Sequence, residues 1–251
     1  FDYPYPYKKY DQVIVPDFNS GAMENVAAVT FNETRYAPRG PKGETQKMRL
    51  ASVILHEMAH MWFGNLVTMK WWNDIWLNES FATYAAVQAL VHGTPYSYQQ
   101  AWTYFLTYGK RSAYWTDQLV TTHPIVNTAS DTQSAFASFD GITYGKGASV
   151  LKQLAFFLGE DKFQKGIANY FKKYANGNTT LPEFMSELVN ASAIDLAGWQ
   201  SVWLEKPQVN TVKVNWTCIE DKVATATLTQ AYPQGYETLR PHKTQVAVFK
   251  L

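Results

Sequence analysis

The sequence is poor in cysteine, in long apolar runs and in excess charge of either sign. Cys218 is the single cysteine of 251 residues, so the chain can form neither an internal disulfide nor a structural zinc site built on several cysteines. No run of about eighteen apolar residues is present, so no membrane-spanning helix is predicted. The 22 basic and 21 acidic side chains leave a net charge of +1, which gives no indication of a nucleic acid or an acidic membrane surface as a partner.

Apolar and aromatic residues are plentiful. Hydrophobic residues make up 46% and aromatic residues 16% of the sequence, which is typical of a packed globular protein. The length allows one substantial domain, or one domain and part of another. We expect a soluble domain, and the sequence leaves the oligomeric state open. The full-length protein could be cytoplasmic, exported or membrane-anchored.

A pair of histidines four positions apart carries the clearest chemical signal. In the stretch HEMAH at positions 56–60, His56 and His60 project from one face of a helix, one turn apart. Glu57 lies about 100° round the helix, where it can reach a metal-bound water without being a ligand. Glu79 follows His60 after a gap that allows a loop and the start of a second helix, which would return a third ligand. Two imidazoles, one carboxylate and an open position are typical of a catalytic zinc site.

A core helix with two hydrogen-bonded histidines is the alternative interpretation of the same five residues. The sequence Asn78-Glu79-Ser80 at the appropriate distance makes this alternative less favourable. We therefore predict one Zn²⁺ per chain.

The wider surroundings of this stretch resemble a known family. Residues 56–84 read HEMAHMWFGNLVTMKWWNDIWLNESFATY, and GAMEN stands upstream at positions 21–25. Together they resemble the M1 family of zinc aminopeptidases, over about Tyr3 to Asn210. The resemblance implies an α+β fold: a thermolysin-like (gluzincin) catalytic domain over residues 1–208, mostly α-helical with a small N-terminal sheet. The start of a β-sandwich domain is expected over residues 209–251.

The resemblance also implies roles for individual residues. Zinc would be held by His56, His60 and Glu79, with Glu57 as the general base that activates the metal-bound water. Tyr144, in a Tyr-x-Lys-Gly-Ala pattern, would donate to the oxyanion. The substrate would be a peptide with a free N-terminus, bound by the residues of the GAMEN stretch: Gly21, Ala22, Met23, Glu24 and Asn25. Glu24 would attract the α-amino group, which is largely cationic at neutral pH.

The family comparison further implies that the chain is a fragment, because relatives carry a β-rich domain before this segment. In many relatives an acid from that domain shares the recognition of the amino group. This fragment is therefore expected to bind zinc but to hydrolyse peptides poorly.

Periodicity and turn residues predict the following elements. The strands are expected at Gln12–Val15, 21–31, 211–218, 222–230 and 244–250. Helices are expected at Thr45–Phe63, Asp74–His92, 95–116, 160–175, 182–191 and 195–205, and a further helix is expected to follow the stretch that ends at Leu151 and to run to about Leu158.

Several side chains receive a structural interpretation. Trp71, Trp72 and Trp76 are predicted to pack around the metal site. Asp74 is either the second hydrogen-bond partner of a zinc-bound histidine or a helix cap. Lys146 is expected to be solvated, and the histidines outside the motif (His92, His123 and His242) to be structural or on the surface.

Three other functions remain open on the sequence. A thermolysin-like endopeptidase would share the metal site but would cleave N-acetylated peptides, which Glu24 should oppose. An epoxide hydrolase of the same family is disfavoured because those relatives carry Gly-Gly-Met-Glu-Asn. A catalytically inactive receptor or scaffold is disfavoured by the presence of Glu57, Glu79 and Tyr144.

Overall fold

The structure is a computed structural model that describes residues 1–37, 40–220 and 222–247. Helices dominate it. The α-helices are α1 (Glu33–Tyr36), α2 (Glu44–Ala59), α3 (Ile75–Gly93), α4 (Tyr98–Phe105), α5 (Arg111–Thr116), α6 (Thr132–Ala137), α7 (Gly147–Leu158), α8 (Glu160–Tyr174), α9 (Leu181–Ser192) and α10 (Ala197–Trp203). A 3₁₀ turn covers Trp72–Asp74, and π-helical turns cover Leu106–Lys110 and Ile142–Lys146.

The strands form three small sheets. They are β1 (Asp11–Val15), β2 (Ala22–Met23), β3 (Ala28–Asn32), β4 (Val67–Met69), β5 (Gly177–Thr179), β6 (Thr211–Ile219) and β7 (Lys222–Ala231). In the first sheet the order is β1-β3-β2, with β1 parallel and β2 antiparallel to β3. β4 pairs with β5 in parallel, and β6 with β7 antiparallel. β2 is therefore an edge strand, with one side free to pair with another extended chain.

The single strand predicted over residues 21–31 is wrong, because the chain turns back inside it. Ala27 adopts a left-handed backbone with φ 58°, and the Ala28 N–H donates to the Asn25 carbonyl oxygen over 2.9 Å. This turn separates β2 from β3 and folds them into a hairpin. Glu24 therefore follows the edge strand directly.

The helix predicted to run to Phe63 ends earlier, at Ala59. Beyond it the N–H groups of Met61 and Trp62 donate to carbonyl oxygens three residues back, Met58 and Ala59, so the chain tightens into a turn. Phe63 thereby reaches the core, where its ring is fully buried and stacks on Phe81 with centroids 3.6 Å apart. Burial of a large aromatic side chain stabilises this turn more than another helical turn would.

The predicted helix 95–116 is also divided, into α4, a π-helical turn and α5. The turn contains Gly109, whose carbonyl oxygen would lie 2.5 Å from a Cβ at Gly145 in the other π-helical turn. The two turns thus approach more closely than side chains would allow.

α3 lies at the centre of the core, and most of its residues are buried. Trp76 on this helix is 1% exposed, whereas Trp71 and Trp72 just before it are 48% and 41% exposed. Trp76 therefore packs in the core, whereas Trp71 and Trp72 are not core side chains, and Trp72 lines the cavity that also contains His56 and Glu79. No helix within residues 1–37, 40–220 and 222–247 is long and apolar enough to cross a bilayer.

β6 and β7 form a hairpin whose side chains are almost all exposed. The chain after it returns to the helical part, where the Arg240 guanidinium donates to the carbonyl oxygens of Val202, Lys206 and Pro207 over 2.8 to 3.0 Å. The strand predicted at 244–250 is absent from its described residues, 244–247, and its remaining residues lie outside the described chain.

Candidate metal centre and active-site cavity

Three metal-ligand atoms converge where α2 meets α3. His56 Nε2 lies 3.0 Å from His60 Nε2 and 3.2 Å from Glu79 Oε2, and His60 Nε2 lies 3.6 Å from the same oxygen. Ligand atoms at about 2.0–2.1 Å from a tetrahedral zinc ion are roughly 3.3 Å apart. The three separations bracket this value, so the side chains fit a zinc ion without rearrangement of the backbone.

The outer nitrogens of both rings are engaged by the protein. His60 Nδ1 lies 3.0 Å from the Phe63 carbonyl oxygen and 2.9 Å from Asn78 Oδ1. Because both neighbours accept, Nδ1 carries the hydrogen, and in the neutral ring Nε2 offers a lone pair to the centre. His56 Nδ1 lies 3.3 Å from the Thr83 hydroxyl. Two ring nitrogens that face each other beside a carboxylate form a position that a cation can occupy.

The pKa shifts of the three groups show that their surroundings carry negative charge. Burial lowers the pKa of His56. Burial also acts to lower the pKa of His60, but the charges of Glu79, Glu24 and Glu57 outweigh it and raise that pKa to about 10. For Glu79, burial acts to raise the pKa, and the two histidines hold it well below its usual value. The centre therefore keeps its carboxylate ionised and favours positive charge.

Glu57 stands beside this centre with one oxygen unused. Its side chain is buried, and its Oε2 has no hydrogen-bond partner among the residues that the structure describes. Burial, reinforced by Glu24 and Glu79 and opposed by His60, raises the pKa of Glu57 to about 8. A carboxylate with a raised pKa and a free oxygen is suited to accept a proton near neutral pH. Oxygens of Glu24 and Glu57 form a second cluster with a His60 nitrogen, but this cluster holds only one imidazole.

Glu24 lies at the end of β2, on the other side of His60. Its Oε1 accepts a hydrogen bond of 3.2 Å from Asn78 Nδ2 and lies 4.0 Å from His60 Nδ1. Its carbonyl oxygen accepts from Asn65 Nδ2 over 2.8 Å. Asn78 thus orients both a histidine of the metal centre and the carboxylate of Glu24.

The GAMEN residues divide into two groups in the structure. Gly21, Ala22, Met23 and Glu24 line one cavity of about 810 Å³ together with His56, His60, Glu57, Glu79 and Tyr144. Asn25 is not part of this lining, and its side chain donates to Thr30 Oγ1 over 3.2 Å instead. It holds the β2–β3 hairpin together.

Tyr144 reaches the centre from the second π-helical turn. Its ring stacks on His56 with centroids 5.9 Å apart. Burial, followed by the negative charge of Glu79, raises the pKa of Tyr144 far above its usual value. The phenol therefore keeps its proton and remains a hydrogen-bond donor.

The turn that carries Tyr144 is held by Asp140, to which the sequence assigned no role. Asp140 Oδ1 accepts from the N–H groups of Ile142 and Thr143 over 2.8 and 3.2 Å. Its Oδ2 lies 3.1 Å from His123 Nε2, so His123 has the structural role expected of it and a specific partner. An Asx-type cap before a short turn is the signal that could have identified Asp140.

The positions of Lys146 and Asp74 differ from those expected from the sequence. Lys146 is not solvated: its side chain is 11% exposed and its ammonium lies 2.8 Å from Asp117 Oδ2. Asp74 contacts neither histidine and does not cap α3. Its Oδ2 accepts the N–H of Leu181 at the start of α9 over 3.1 Å.

A family model described as "Peptidase family M1 domain" matches residues 1–205. The chain belongs to peptidase family M1. Among its relatives is Aminopeptidase N of Streptomyces lividans, 46% identical over 260 aligned residues, which cover 100% of this chain and 30% of the relative.

Less similar relatives match over most of the chain. Leucyl aminopeptidase of Saccharolobus solfataricus is 38% identical over 215 residues, which cover 86% of this chain and 27% of that protein. Tricorn protease-interacting factor F2 of Thermoplasma volcanium is 38% identical over 218 residues, with the same coverage of 86% and 27%. The chain thus spans 27–30% of the length of these three relatives.

Proposed function

We propose that this M1-family chain is the catalytic part of a zinc aminopeptidase that removes the N-terminal residue from peptides. The observation that carries the proposal is the convergence of His56 Nε2, His60 Nε2 and Glu79 Oε2 within 3.0 to 3.6 Å of one another. When bound by these residues, zinc would polarise the scissile carbonyl and lower the pKa of a water molecule. The aminopeptidase names of the relatives support the substrate class.

Glu57 acts as the general base. It accepts the proton of the attacking water and returns it to the leaving amine, so that the tetrahedral intermediate breaks down. The free Oε2 and the pKa raised to about 8 support this role, because both proton transfers then require little energy near neutral pH. Tyr144 keeps its proton and donates it as a hydrogen bond to the oxyanion, a contact whose loss typically costs about 3 kcal/mol of barrier.

Glu24 binds the amino end of the substrate and makes the enzyme an exopeptidase. The free edge of β2 pairs with the extended backbone of the peptide. At the end of that strand the Glu24 carboxylate, oriented by Asn78, meets the cationic α-amino group. A polypeptide that continued past this point would meet the carboxylate, so internal bonds are not cleaved.

We also propose that residues 1–208 form a gluzincin catalytic domain and that residues 209–251 begin a β-sandwich. The second part is supported by the β6–β7 hairpin, in which Val212, Val214 and Trp216 are at least 47% exposed and fall on one face by strand alternation. A two-stranded sheet with an exposed apolar face needs another layer to cover it.

Substitution of Glu57 in the complete polypeptide tests the function. We expect Glu57→Gln to lower kcat for leucine anilide by at least about 100-fold, because the general base is lost, while stoichiometric zinc is retained in elemental analysis. Glu160→Gln, an exposed glutamate of α8 outside the cavity, is the matched control and should hydrolyse the anilide normally. Near-normal turnover by Glu57→Gln would refute the assignment.

The endopeptidase alternative is tested with the same enzyme and a blocked substrate. An N-acetylated peptide removes the cationic amino group that Glu24 binds. We expect it to resist cleavage, and efficient cleavage would favour an endopeptidase.

A further inference from the structure

The active-site cavity contains a cation without a counter-ion. Arg49 lines the cavity, and its side chain is exposed. It forms no ion pair with any acid of residues 1–37, 40–220 and 222–247. Its charge acts to lower the pKa of Tyr104, another residue of the lining, against the larger effect of burial, which raises that pKa. All carboxylates that line the same cavity, Glu24, Glu57 and Glu79, belong to the metal centre or its immediate surroundings.

α2 sets the position of Arg49 relative to the metal centre. Arg49 precedes His56 by seven residues, which is two turns, so both side chains share one face and lie about 10 Å apart along the helix axis. Ser52 and Val53 fall between them and also line the cavity. The cavity therefore follows one face of α2, from His60 at its C-terminal end to Arg49 near its start.

β2 lines the cavity as well, and its two ends differ in their charged neighbours. Glu24 follows the strand at the end near His60, and Gly21 precedes it at the other end. A Cβ at Gly21 would lie 3.4 Å from the Tyr36 hydroxyl and 3.6 Å from a guanidinium nitrogen of Arg35. Arg35, like Arg49, forms no ion pair within the described chain. This end of the strand is therefore electropositive, whereas the Glu24 end is acidic.

A peptide bound by its amino end must cross this charge gradient. With its α-amino group at Glu24, it runs antiparallel to β2, past Met23 and towards Gly21. On the α2 side it passes His56 and then approaches Arg49. An extended peptide advances about 3.3 Å per residue, so two or three residues beyond the scissile bond bring its end within reach of a long arginine side chain.

We infer that Arg49 binds the C-terminal carboxylate of short peptides, so that the preferred substrates are tri- and tetrapeptides with both ends free. The inference rests on the proposed aminopeptidase function. A guanidinium and a carboxylate form charge-assisted, often bidentate hydrogen bonds. Arg49 thus does at one end of the peptide what Glu24 does at the other, and the separation of the two side chains selects the length.

The test compares trialanine with trialanine amide, which share the amino end and differ in one terminal charge. In the complete polypeptide we expect kcat/KM to be about tenfold higher for the acid, in the range of a charge-assisted hydrogen bond weakened by solvent. In Arg49→Gln the ratio should fall to about one. Arg111→Gln, an exposed arginine of α5 outside the cavity lining, is the matched control and should keep the ratio of the unsubstituted protein. For hexaalanine the acid and its amide should be hydrolysed equally.

Failure of this inference can be told apart from failure of the function. If leucine anilide is hydrolysed but trialanine and its amide are equivalent, or if Arg49→Gln keeps the tenfold ratio, carboxylate recognition by Arg49 is refuted and the aminopeptidase assignment stands. A second readout avoids turnover: calorimetric Kd values for both peptides in the Glu57→Gln background. There the acid should again bind about tenfold more tightly, and equal Kd values would contradict the inference.

Discussion

Ser80 donates its hydroxyl hydrogen to the carbonyl oxygen of Thr143, and this bond joins the two halves of the active site. Ser80 follows the metal-centre residue Glu79 on α3, and Thr143 precedes Tyr144 on the π-helical turn. Both Ser80 and Thr143 are fully or nearly fully buried. This bond therefore adds to the Asp140 contacts in fixing the position of the phenol relative to the candidate metal centre.

Replacing Ser80 with alanine should lower stability and kcat without changing KM. The Thr143 carbonyl would lose its donor, so we expect a loss of about 1–2 kcal/mol in the free energy of unfolding, measured by urea denaturation. The kcat for leucine anilide should fall while KM stays within about twofold, since Tyr144 acts on the oxyanion and not on the bound substrate. A rise in KM with unchanged kcat would contradict this role of the bond.

Gly147, at the start of α7, permits the same close approach. A Cβ there would lie 1.8 Å from Ser80 Oγ, so Gly147→Ala should destabilise the protein by about 1–3 kcal/mol through overpacking. In the double variant with Ser80→Ala the hydroxyl is absent. Its loss of unfolding free energy should therefore be smaller than the sum of the losses in the two single variants. Strict additivity in a double-mutant cycle would show that the two positions do not interact.

Gly198 provides the control for that substitution. It lies in α10, and a Cβ there would have no described atom within 4 Å. Gly198→Ala should therefore stabilise the protein by about 0.5–1 kcal/mol through helix propensity alone. In thermal and urea denaturation, Gly147→Ala should lower the free energy of unfolding and Gly198→Ala should raise it.

The His123–Asp140 pair should make stability depend on pH. Burial acts to lower the pKa of His123, but Asp140 and the Pro124 carbonyl raise it overall. For Asp140, burial acts to raise the pKa, and His123 with the N–H groups of the turn lowers it overall. The histidine's contribution is therefore present below its unfolded pKa of about 6.5 and is lost as pH rises through the higher folded value. The aspartate's contribution is present above about pH 4 and is lost as pH falls.

His123→Gln measures this contribution directly. The difference in unfolding free energy from the unsubstituted protein should be greatest between about pH 4 and 6.5 and shrink at higher pH. We expect about 1 kcal/mol at the maximum, because the pair is not fully shielded from solvent. A difference that stays constant from pH 5 to 9 would show that the pair is not charged.

Metal removal should change stability through the residues of α2 and α3. Zinc added at about 100 times its Kd to chelator-treated protein should stabilise the fold by about 2.7 kcal/mol, read as a rise in Tm. His60→Gln should abolish the rise, because an amide is a poor replacement for the ring nitrogen. His92→Gln, at an exposed histidine of α3, should keep it, and an equal loss in both variants would contradict the site.

The convergence of the three candidate metal ligands could be predicted from the sequence because it is largely local. The spacing of His56 and His60 follows from one helical turn, and the carboxylate of Glu79 lies on the next long helix. The π-helical turns could not be predicted, since they depend on the approach of Gly109 to Gly145 across 36 positions of sequence. Family resemblance, and not any local pattern, selected Tyr144 from 16 tyrosines.

The errors have the same origin in contacts between distant residues. Lys146 was expected in solvent because its partner, Asp117, lies 29 positions earlier. The end of α2 was predicted too late in the sequence, because the periodicity of apolar residues does not report the free energy gained by burying Phe63. Arg49 lies in no recognisable motif. Its proposed role could not be predicted from the sequence, because it depends on β2 and α2 lining the same cavity.

The turn after α2, residues 60–63, contributes both to the candidate metal centre and to the hydrophobic core. His60 directs Nδ1 at the carbonyl oxygen of Phe63, and the ring of Phe63 lies against Phe81 in a cluster of buried aromatic side chains. Affinity for the cation and tightness of the interior are consequently linked quantities. We expect conditions that loosen that cluster, such as mild heating or low denaturant, to weaken the proposed binding of the ion before the chain unfolds as a whole.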